Sequence, residues 1–304
     1  MIEEEKYIKI SEEWSRMHMI TGETRITGIF GFPVEHSLSP AMHNAAYREM
    51  GLNYCYVPFS VTKEHLSAAV NSIKALNLAG VNVTSPHKEG VLKHLDKIAP
   101  EASFLEAVNT IVNEAGILTG YNTDYLGYVE GIRKDAAAPE IKGGRITILG
   151  GGGAARAVAY GLAAAGAGEI LFIVRNPGKL AYWLDKFKKR FPETEVAACS
   201  FEEKKEIGCH LKKTTILTNA LPVSLVDSRG KWLVDFSSLN KGAFISDLRY
   251  AADAAELVEW GKAAGYRVQN GLPMLLEQGI LSFELFTGKT PPREVMEEAL
   301  KNRI

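Results

Sequence analysis

The hydrophobic pattern of the chain switches repeatedly between strand-like and helix-like periods. TRITGIFG, residues 24–31, is a short β-rich run ending in glycine. SPAMHNAAYREMG, residues 39–51, reads as a helix with Ser39 as N-cap, Pro40 as first residue and Gly51 as stop. NYCYVPFSV, residues 53–61, is aromatic and β-branched and predicts a strand. Leu66, Ala69, Val70, Ile73 and Leu76 fall at helical spacing within residues 63–76. GVNVTSP is the next strand, ended by Pro86, with a helix expected from there to about Leu95. AVNTIVNEAGILTGYN has β-rich arms around Asn113–Gly116, a hairpin signal. Helices alternating with strands before a hairpin predict a mostly parallel sheet with helices around it.

A second unit begins near Ile141. Residues 143–176, GGRITILGGGGAARAVAYGLAAAGAGEILFIVRN, run strand, glycine turn, alanine-rich helix, strand, which is one βαβ unit of about 30 residues. TTILTNAL (214–221) and GAFISDLRY (242–250) predict further strands. DAAELVEWGKAAG (253–265) predicts a helix, YRVQNG a last strand, and LPMLLEQGILSFELFTG (272–288) a long amphipathic helix.

Composition narrows the function classes. A chain of 304 residues with 46% hydrophobic and 23% charged residues is that of a soluble globular protein, of about two domains by length. A formal net charge of −1 provides no bulk field for nucleic acid or an anionic membrane, so an anionic substrate needs a local site. Cys55, Cys199 and Cys209 lack ligand-like spacing and read as reduced thiols of a cytoplasmic protein. His36 with His43, and His87 with His94, have no evident third ligand, so no metal is expected. No apolar stretch reaches the ~18–20 residues of a membrane span. The acidic start MIEEEKYIKISEEW lacks a signal-peptide core, and residues 1–24 read as an extension.

Gly150, Gly151, Gly152, Gly153, Ala154 and Ala155 follow the strand RITIL and open a helix, and Gly150, Gly152 and Ala155 satisfy G-x-G-x-x-G/A. Such glycines let backbone approach a pyrophosphate, which the helix N-terminus then holds. Four glycines alone suit any tight turn; the βαβ setting favours a dinucleotide. The second strand ends in Arg175 and Asn176, where an NAD-binding unit carries an acid. An arginine there suits a 2′-phosphate, with Lys179 nearby, and favours NADP over NAD; the plain alternative is a solvated loop cation.

In the first unit, GFPVEHSLSPAMHN places Ser37 and Ser39 just before a helix, where hydroxyls and unbonded N–H groups can hold a small carboxylate. The alternative is capping by Ser39 alone. GFPVEHSLSPAMHN, NVTSPHK, AVNT, GYNTDYLG, GGGGAARAV and MLLEQG occur in one order, and together they resemble the shikimate dehydrogenase family, its quinate/shikimate dehydrogenase branch included, over about residues 25–300.

The resemblance implies roles position by position. Lys88 corresponds to the family's catalytic lysine and Asp124 to its partner carboxylate. Ser37, Ser39, Thr84, Asn109 and Gln278 match substrate-holding positions, Tyr250 a substrate-side tyrosine, and Leu248 and Gly271 positions lining the cofactor. Residues 25–124 with 270–304 would form the substrate domain and 125–269 a Rossmann-type NADP domain, with the site in the cleft between them. The implied reaction is reversible reduction of 3-dehydroshikimate by NADPH to shikimate, in aromatic amino acid (chorismate) biosynthesis. The protein would be a monomer or homodimer, with no nucleic acid or membrane partner.

General chemistry fits these roles. Oxidising a secondary alcohol releases a hydride and a proton; the cofactor takes the first and a group that can change protonation takes the second. Burial disfavours a lysine's charged form, an adjacent carboxylate favours it, and such a pair titrates together. Taken singly, the residues have plainer readings: Asn109 and Asn122 as turn residues, Asp124 as a helix N-cap, Gln278 on a polar helix face, Tyr250 as core. His87 looks incidental.

Several positions depart from the family pattern. Tyr125 stands where glycine is frequent, DLRYAADAAEL lacks the usual proline and threonine, TNALPVSL lacks the common glycine and methionine, and VRN replaces Asn-Arg-Thr. These leave shikimate, quinate and aminoshikimate open as substrates and NAD as a second cofactor. A non-catalytic metabolite-sensing regulator is the more distant alternative, opposed by the presence of both Lys88 and Asp124.

Overall fold

The computed structural model describes residues 20–135, 139–250 and 256–303. The chain divides into two compact units, and the described residues form two six-stranded sheets. Most of the expected N-terminal extension, residues 1–19, lies outside the described residues, as do 253–255 of the expected helix. No helix among the described residues is long and apolar enough to cross a membrane.

The first unit comprises residues 20–102, Val108–Tyr121 and Gly279–Arg303. Its chain runs β1 (Arg25–Gly31), α1 (Ser39–Glu49), β2 (Tyr54–Ser60), α2 (Leu66–Ala75), β3 (Gly80–Val83), a 3₁₀ turn (Gly90–His94), β4 (Lys97–Ile98), α3 (Pro100–Leu105, its residues from Ser103 assigned to the second unit), β5 (Thr110–Glu114) and β6 (Ile117–Tyr121). The sheet order is β2-β1-β3-β5-β6-β4. β1 lies parallel to β2 and β3, and β4 to β6, whereas β5 is antiparallel to β3 and β6. The β5–β6 hairpin turns at Ala115 (φ 51°) and Gly116 (φ 87°), two consecutive left-handed residues that match the twist of a tight hairpin. One face of α2 buries Leu66, Val70 and Ile73 against Phe30, Val81 and Val83, each aliphatic side chain contributing roughly 1.5–3 kcal/mol. Leu76, at the end of that periodic set, is the C-cap and is 68% exposed.

The second unit comprises Ser103–Ala107 and Asn122–Gln278. It runs α4 (Asp124–Arg133), β7 (Arg145–Leu149), α5 (Gly153–Ala164), β8 (Glu169–Val174), a 3₁₀ turn (Pro177–Leu180), α6 (Ala181–Arg190), β9 (Glu195–Ser200), α7 (Lys204–Leu211), β10 (Ile216–Asn219), β11 (Phe244–Asp247), α8 (Glu256–Ala263), β12 (Arg267–Gln269) and α9 (Leu272–Thr287). α9 passes into the first unit after Gln278, and α10 (Arg293–Lys301) follows there. All strands pair in parallel, in the order β12-β11-β10-β7-β8-β9. Numbered within the unit and read from β9, that is 3-2-1-4-5-6, the doubly wound dinucleotide-binding order. β7 and β8 are buried at every position but their first, as strands of a parallel sheet covered on both faces are.

Local expectations change at three places. Leu38, not Ser39, is the N-cap of α1, and Ser39 is already helical. The helix expected up to Leu95 is a five-residue 3₁₀ turn held by contacts such as Leu95 N–H to Leu92 O, 3.3 Å. Residues 177–213, for which the hydrophobic pattern above sets no element, hold α6, β9 and α7.

Candidate active site

In the first unit, chain direction brings five of the expected residues to one sheet edge. β1 and β3 run parallel, and β5 runs antiparallel to β3, so their respective carboxyl and amino ends share that edge. Ser37 and Ser39 follow β1, Thr84 and Lys88 follow β3, and Asn109 immediately precedes β5. The chain leaves β1 towards β2 on one side and returns to β3 on the other, and such switch points are where open α/β sheets bind ligands.

What this edge offers an anion differs from the expectation. The Ser39 N–H donates to Ser37 Oγ (3.3 Å), Pro40 has no N–H, and the Ala41 N–H donates to Leu38 O (3.1 Å). The hydroxyls of Ser37 and Ser39, rather than helix N–H groups, are therefore what the turn presents to a carboxylate. Neither serine caps α1, whose N-cap is Leu38 with no side-chain cap hydrogen bond, so the alternative of capping by Ser39 alone is not what the structure shows. Tyr56 is fully buried, and burial pushes its phenol well above its ordinary titration range.

Thr84 N–H donates to Phe30 O (2.9 Å), and its methyl lies where a Cβ on Gly31 would collide, which pins the side chain. His87 N–H closes a turn on Thr84 O (2.9 Å), and Lys88 O accepts from Val108 N–H (2.9 Å), so backbone on both sides of the half-buried Lys88 is fixed. The His87 imidazole is 1% exposed, with Nε2 2.6 Å from Val61 O. It ties this loop to the end of β2.

Asn109 is 2% exposed; its carbonyl accepts from Val83 N–H (2.8 Å) and from Asn82 Nδ2 (3.1 Å), and its Oδ1 accepts from Thr110 Oγ1 (3.0 Å). Asn82 Nδ2 also reaches Thr110 Oγ1 (3.0 Å) and Ser282 Oγ (2.9 Å), while its Oδ1 accepts from Tyr56 OH (2.8 Å). A buried network bonded this fully holds its members in one arrangement.

In the second unit, Asp124 and Gln278 are held by one helix packing. Asp124, 4% exposed, opens α4, and its N–H donates to Asn122 Oδ1 (3.0 Å). Asn122 Nδ2 donates to Ala107 O (2.9 Å), so Asn122 is the turn residue and Thr123, not Asp124, the N-cap. Thr123 Oγ1 donates to Gln278 O (3.1 Å), and a Cβ on Gly127 would stand 2.6 Å from Gln278 N. Glycine at 127 therefore lets α4 and α9 approach closely enough to set Asp124 and Gln278 from one contact.

The glycine loop leaves β7 at Gly150, whose φ of +108° suits glycine alone. A Cβ on Gly151 would meet Leu180 Cδ1 at 2.8 Å and Val174 Cγ1 at 3.1 Å, which packs the loop against the end of β8 and the turn carrying exposed Arg175, Asn176 and Lys179. Gly152 differs. It is the N-cap of α5, and among the described residues no side chain caps the helix and a Cβ there would have nothing within 4 Å. Open space over an uncapped helix N-terminus is what a pyrophosphate requires, so these residues fit a dinucleotide.

Leu248 and Gly271 are also brought together. A Cβ on Gly271 would collide with Leu248 O, and Gly271 N–H donates to Arg249 O (3.0 Å). Leu248 N–H donates to Asn219 O (2.9 Å), which sets the exits of β10 and β11 side by side. Tyr250 follows, its phenol pushed up by burial.

Comparison with known proteins agrees with this geometry. The family model described as "Shikimate dehydrogenase substrate binding domain" matches residues 29–111, "Shikimate 5'-dehydrogenase C-terminal domain" matches 271–301, and "NADP oxidoreductase coenzyme F420-dependent" matches 145–238. A shikimate dehydrogenase (NADP(+)) of Geobacter sp. strain M21 is 40% identical over 286 residues, covering 94% of this chain and 97% of the relative. The chain belongs to the shikimate dehydrogenase family. Among solved shikimate dehydrogenase structures, that from Listeria monocytogenes, in complex with shikimate and NAD, has a TM-score of 0.81 at 34% identity, covering 92% of this chain and 97% of that one. That from Thermus thermophilus, in complex with NADP(H) and shikimate, has a TM-score of 0.78 at 33% identity, covering 92% and 100%.

Among the three matched stretches, Ser37, Ser39, Thr84, Lys88 and Asn109 fall in the substrate-binding one, the glycine loop and Arg175 in the NADP oxidoreductase one, and Gly271 and Gln278 in the C-terminal one. Asp124, Leu248 and Tyr250 lie outside all three. Sequence reasoning passed over Asn82, Tyr56, Ser282 and Asn219. Only Asn82 carried a signal, a polar side chain inside a four-residue buried strand.

Proposed function

We propose that the protein is an NADP-dependent shikimate dehydrogenase, reversibly reducing 3-dehydroshikimate to shikimate. The observation that carries this reading is the gathering of Ser37, Ser39, Thr84, Lys88 and Asn109 at one sheet edge, in a chain that also carries a 3-2-1-4-5-6 dinucleotide sheet. NADP, when bound, accepts or returns the hydride; the protein's residues manage the proton and the substrate. The Ser37 and Ser39 hydroxyls donate to the substrate carboxylate. Thr84, Asn109 and Gln278 pair with ring hydroxyls, and an analogue lacking one leaves a buried partner unpaired, which is a strong basis for rejection. Lys88 gives its Nζ proton to the ketone oxygen in reduction and takes it back in oxidation, with Asp124 as its partner carboxylate and Tyr250 on the substrate side. Arg175 and Asn176, at the exit of β8, take the 2′-phosphate end of the cofactor. The setting is the cytoplasm, in keeping with three unpaired cysteines.

A rate panel tests the reading: kcat/KM for shikimate and quinate, each with NADP and NAD. The highest value is expected for shikimate with NADP. A higher value for quinate would replace the substrate, equal or better use of NAD would remove the Arg175 argument, and no turnover with either substrate would overturn the enzyme reading.

A further inference from the structure

Arg249 stands between β11 and the described start of α8, with its side chain only 14% exposed. Its Nε donates to Asp247 Oδ1 (3.0 Å) and its Nη2 to Asp247 Oδ2 (2.6 Å), a two-pronged contact with a carboxylate of 0% exposure. Its Nη1 donates to Glu256 Oε1 (3.0 Å) and Val223 O (3.2 Å). The acids reach further. Asp247 Oδ2 accepts from Asn219 Nδ2 (3.0 Å), Asn219 Oδ1 accepts from Leu221 N–H (3.1 Å), and Glu256 Oε1 accepts from Leu225 N–H (2.8 Å). Burial alone would raise the Glu256 carboxyl, but the Leu225 N–H and the Arg249 guanidinium outweigh it and hold it below its ordinary range.

One guanidinium thus joins three pieces of chain: residues 219–225 from the end of β10, residues 247–250 from the end of β11, and the first turn of α8. Their place in the sheet gives this meaning. Strand order reverses between β7 and β10, and a dinucleotide lies across the carboxyl ends of the strands at such a reversal. The glycine loop after β7 takes the pyrophosphate and the exit of β8 the adenosine end. The exits of β10 and β11 are left for the nicotinamide end. The glycine loop also borders the clamped segment, since a Cβ on Gly150 would lie 3.2 Å from Ala220 O.

We propose that Arg249 is a positioning residue for the nicotinamide half of the cofactor, holding the chain after β10 and β11 in the arrangement that receives it. The proposal rests on the NADP reading above and acts at a distance from the 2′-phosphate end. Lysine cannot replace it fully, because an ammonium lacks the planar fork that serves Asp247 and Glu256 together.

The test separates the two halves of the cofactor. Affinity for NADP and for 2′,5′-ADP, which lacks the nicotinamide half, is measured by calorimetry in the wild type, Arg249→Met and Arg249→Lys, with kcat and the KM for shikimate alongside. Arg249→Met is expected to weaken NADP about tenfold and to lower kcat on the order of 100-fold, while 2′,5′-ADP and the shikimate KM stay within about twofold. Arg249→Lys should recover part of the NADP affinity. Equal weakening of NADP and 2′,5′-ADP, or unchanged NADP affinity and kcat, would overturn the assignment. Should Arg249→Met not fold, Glu256→Gln carries the same contrast, and equal effects on both ligands count against the proposal in the same way. Failure of the wild type to bind either ligand overturns the NADP reading and the Arg249 role with it, whereas binding of both with no contrast among the variants overturns only the latter.

Discussion

Gly152→Ala separates a glycine needed for a ligand from one needed for the fold. Gly152 has φ −77° and ψ −174°, a conformation any L-residue adopts, and a Cβ would meet nothing within 4 Å among the described residues. The added methyl therefore causes no strain in the unliganded protein. Replacing glycine at a compatible position gains about 0.4–1 kcal/mol by restricting the unfolded chain. Alanine is a poorer N-cap than glycine, at a cost of roughly 0.5–1 kcal/mol. The two offset one another, leaving a net change on the order of 0.5 kcal/mol or less and a Tm shift of about 2 °C at most. With a pyrophosphate against the first turn of α5, the same methyl occupies ligand space. An overpacking penalty of about 1–3 kcal/mol weakens NADP roughly 5- to 150-fold. Differential scanning fluorimetry and calorimetric titration with NADP measure both quantities on one preparation. Gly151→Ala is the control: Leu180 and Val174 crowd its Cβ, so it should lower Tm without ligand. An NADP affinity within about twofold of wild type in Gly152→Ala would remove the pyrophosphate from this loop, and a Tm loss above about 5 °C would refute the open-space argument.

Lys88→Ala is expected to lower kcat by several orders of magnitude with little change in the KM for shikimate; steady-state kinetics showing near-normal kcat would remove Lys88 from the chemistry. Arg175→Ala should raise the KM for NADP far more than that for NAD, and a parallel rise in both would contradict a 2′-phosphate role. His43 gives a pH prediction. It is fully buried, stacks on Tyr56 with centroids 4.4 Å apart, has no ring-nitrogen partner among the described residues, and is driven by burial down to about 3. The unfolded chain takes up this proton near pH 6.5 and the folded chain does not, so the stability present above pH 6.5 is lost at about 1.4 kcal/mol per pH unit as pH falls towards 3. Urea unfolding of His43→Leu should therefore show a loss between pH 6.5 and 5 smaller than wild type by roughly 2 kcal/mol, and parallel curves would refute the assignment.

What was legible in the sequence depended on how far along the chain each physical constraint reaches. The βαβ unit with its glycine loop spans residues 143–176, so its strand, turn and helix signals constrain one another locally. The motif around Lys88 is similarly short, and its turn closes between Thr84 and His87. At Ser39 the failure was also local: N-cap preference names serine, but where the chain bends makes Leu38 the N-cap, and Ser37 Oγ receives the N–H of Ser39, the first helical residue. The buried polar groups fail for a different reason. Asn82 within GVNV announces that something must satisfy it, since an unpaired buried amide costs about 1–3 kcal/mol. Ser282, one of its partners, is 200 residues away, and no local pattern identifies it. Arg249 lies between these cases. Asp247 and Arg249, two apart at a strand end, project to the same side, so their pairing could be read from spacing. The other ends of the clamp, Val223, Glu256 and Asn219, come together only because β10 and β11 are neighbours in a parallel sheet. The sequence therefore shows which side chains must find partners, and the sheet order decides which segments those partners join.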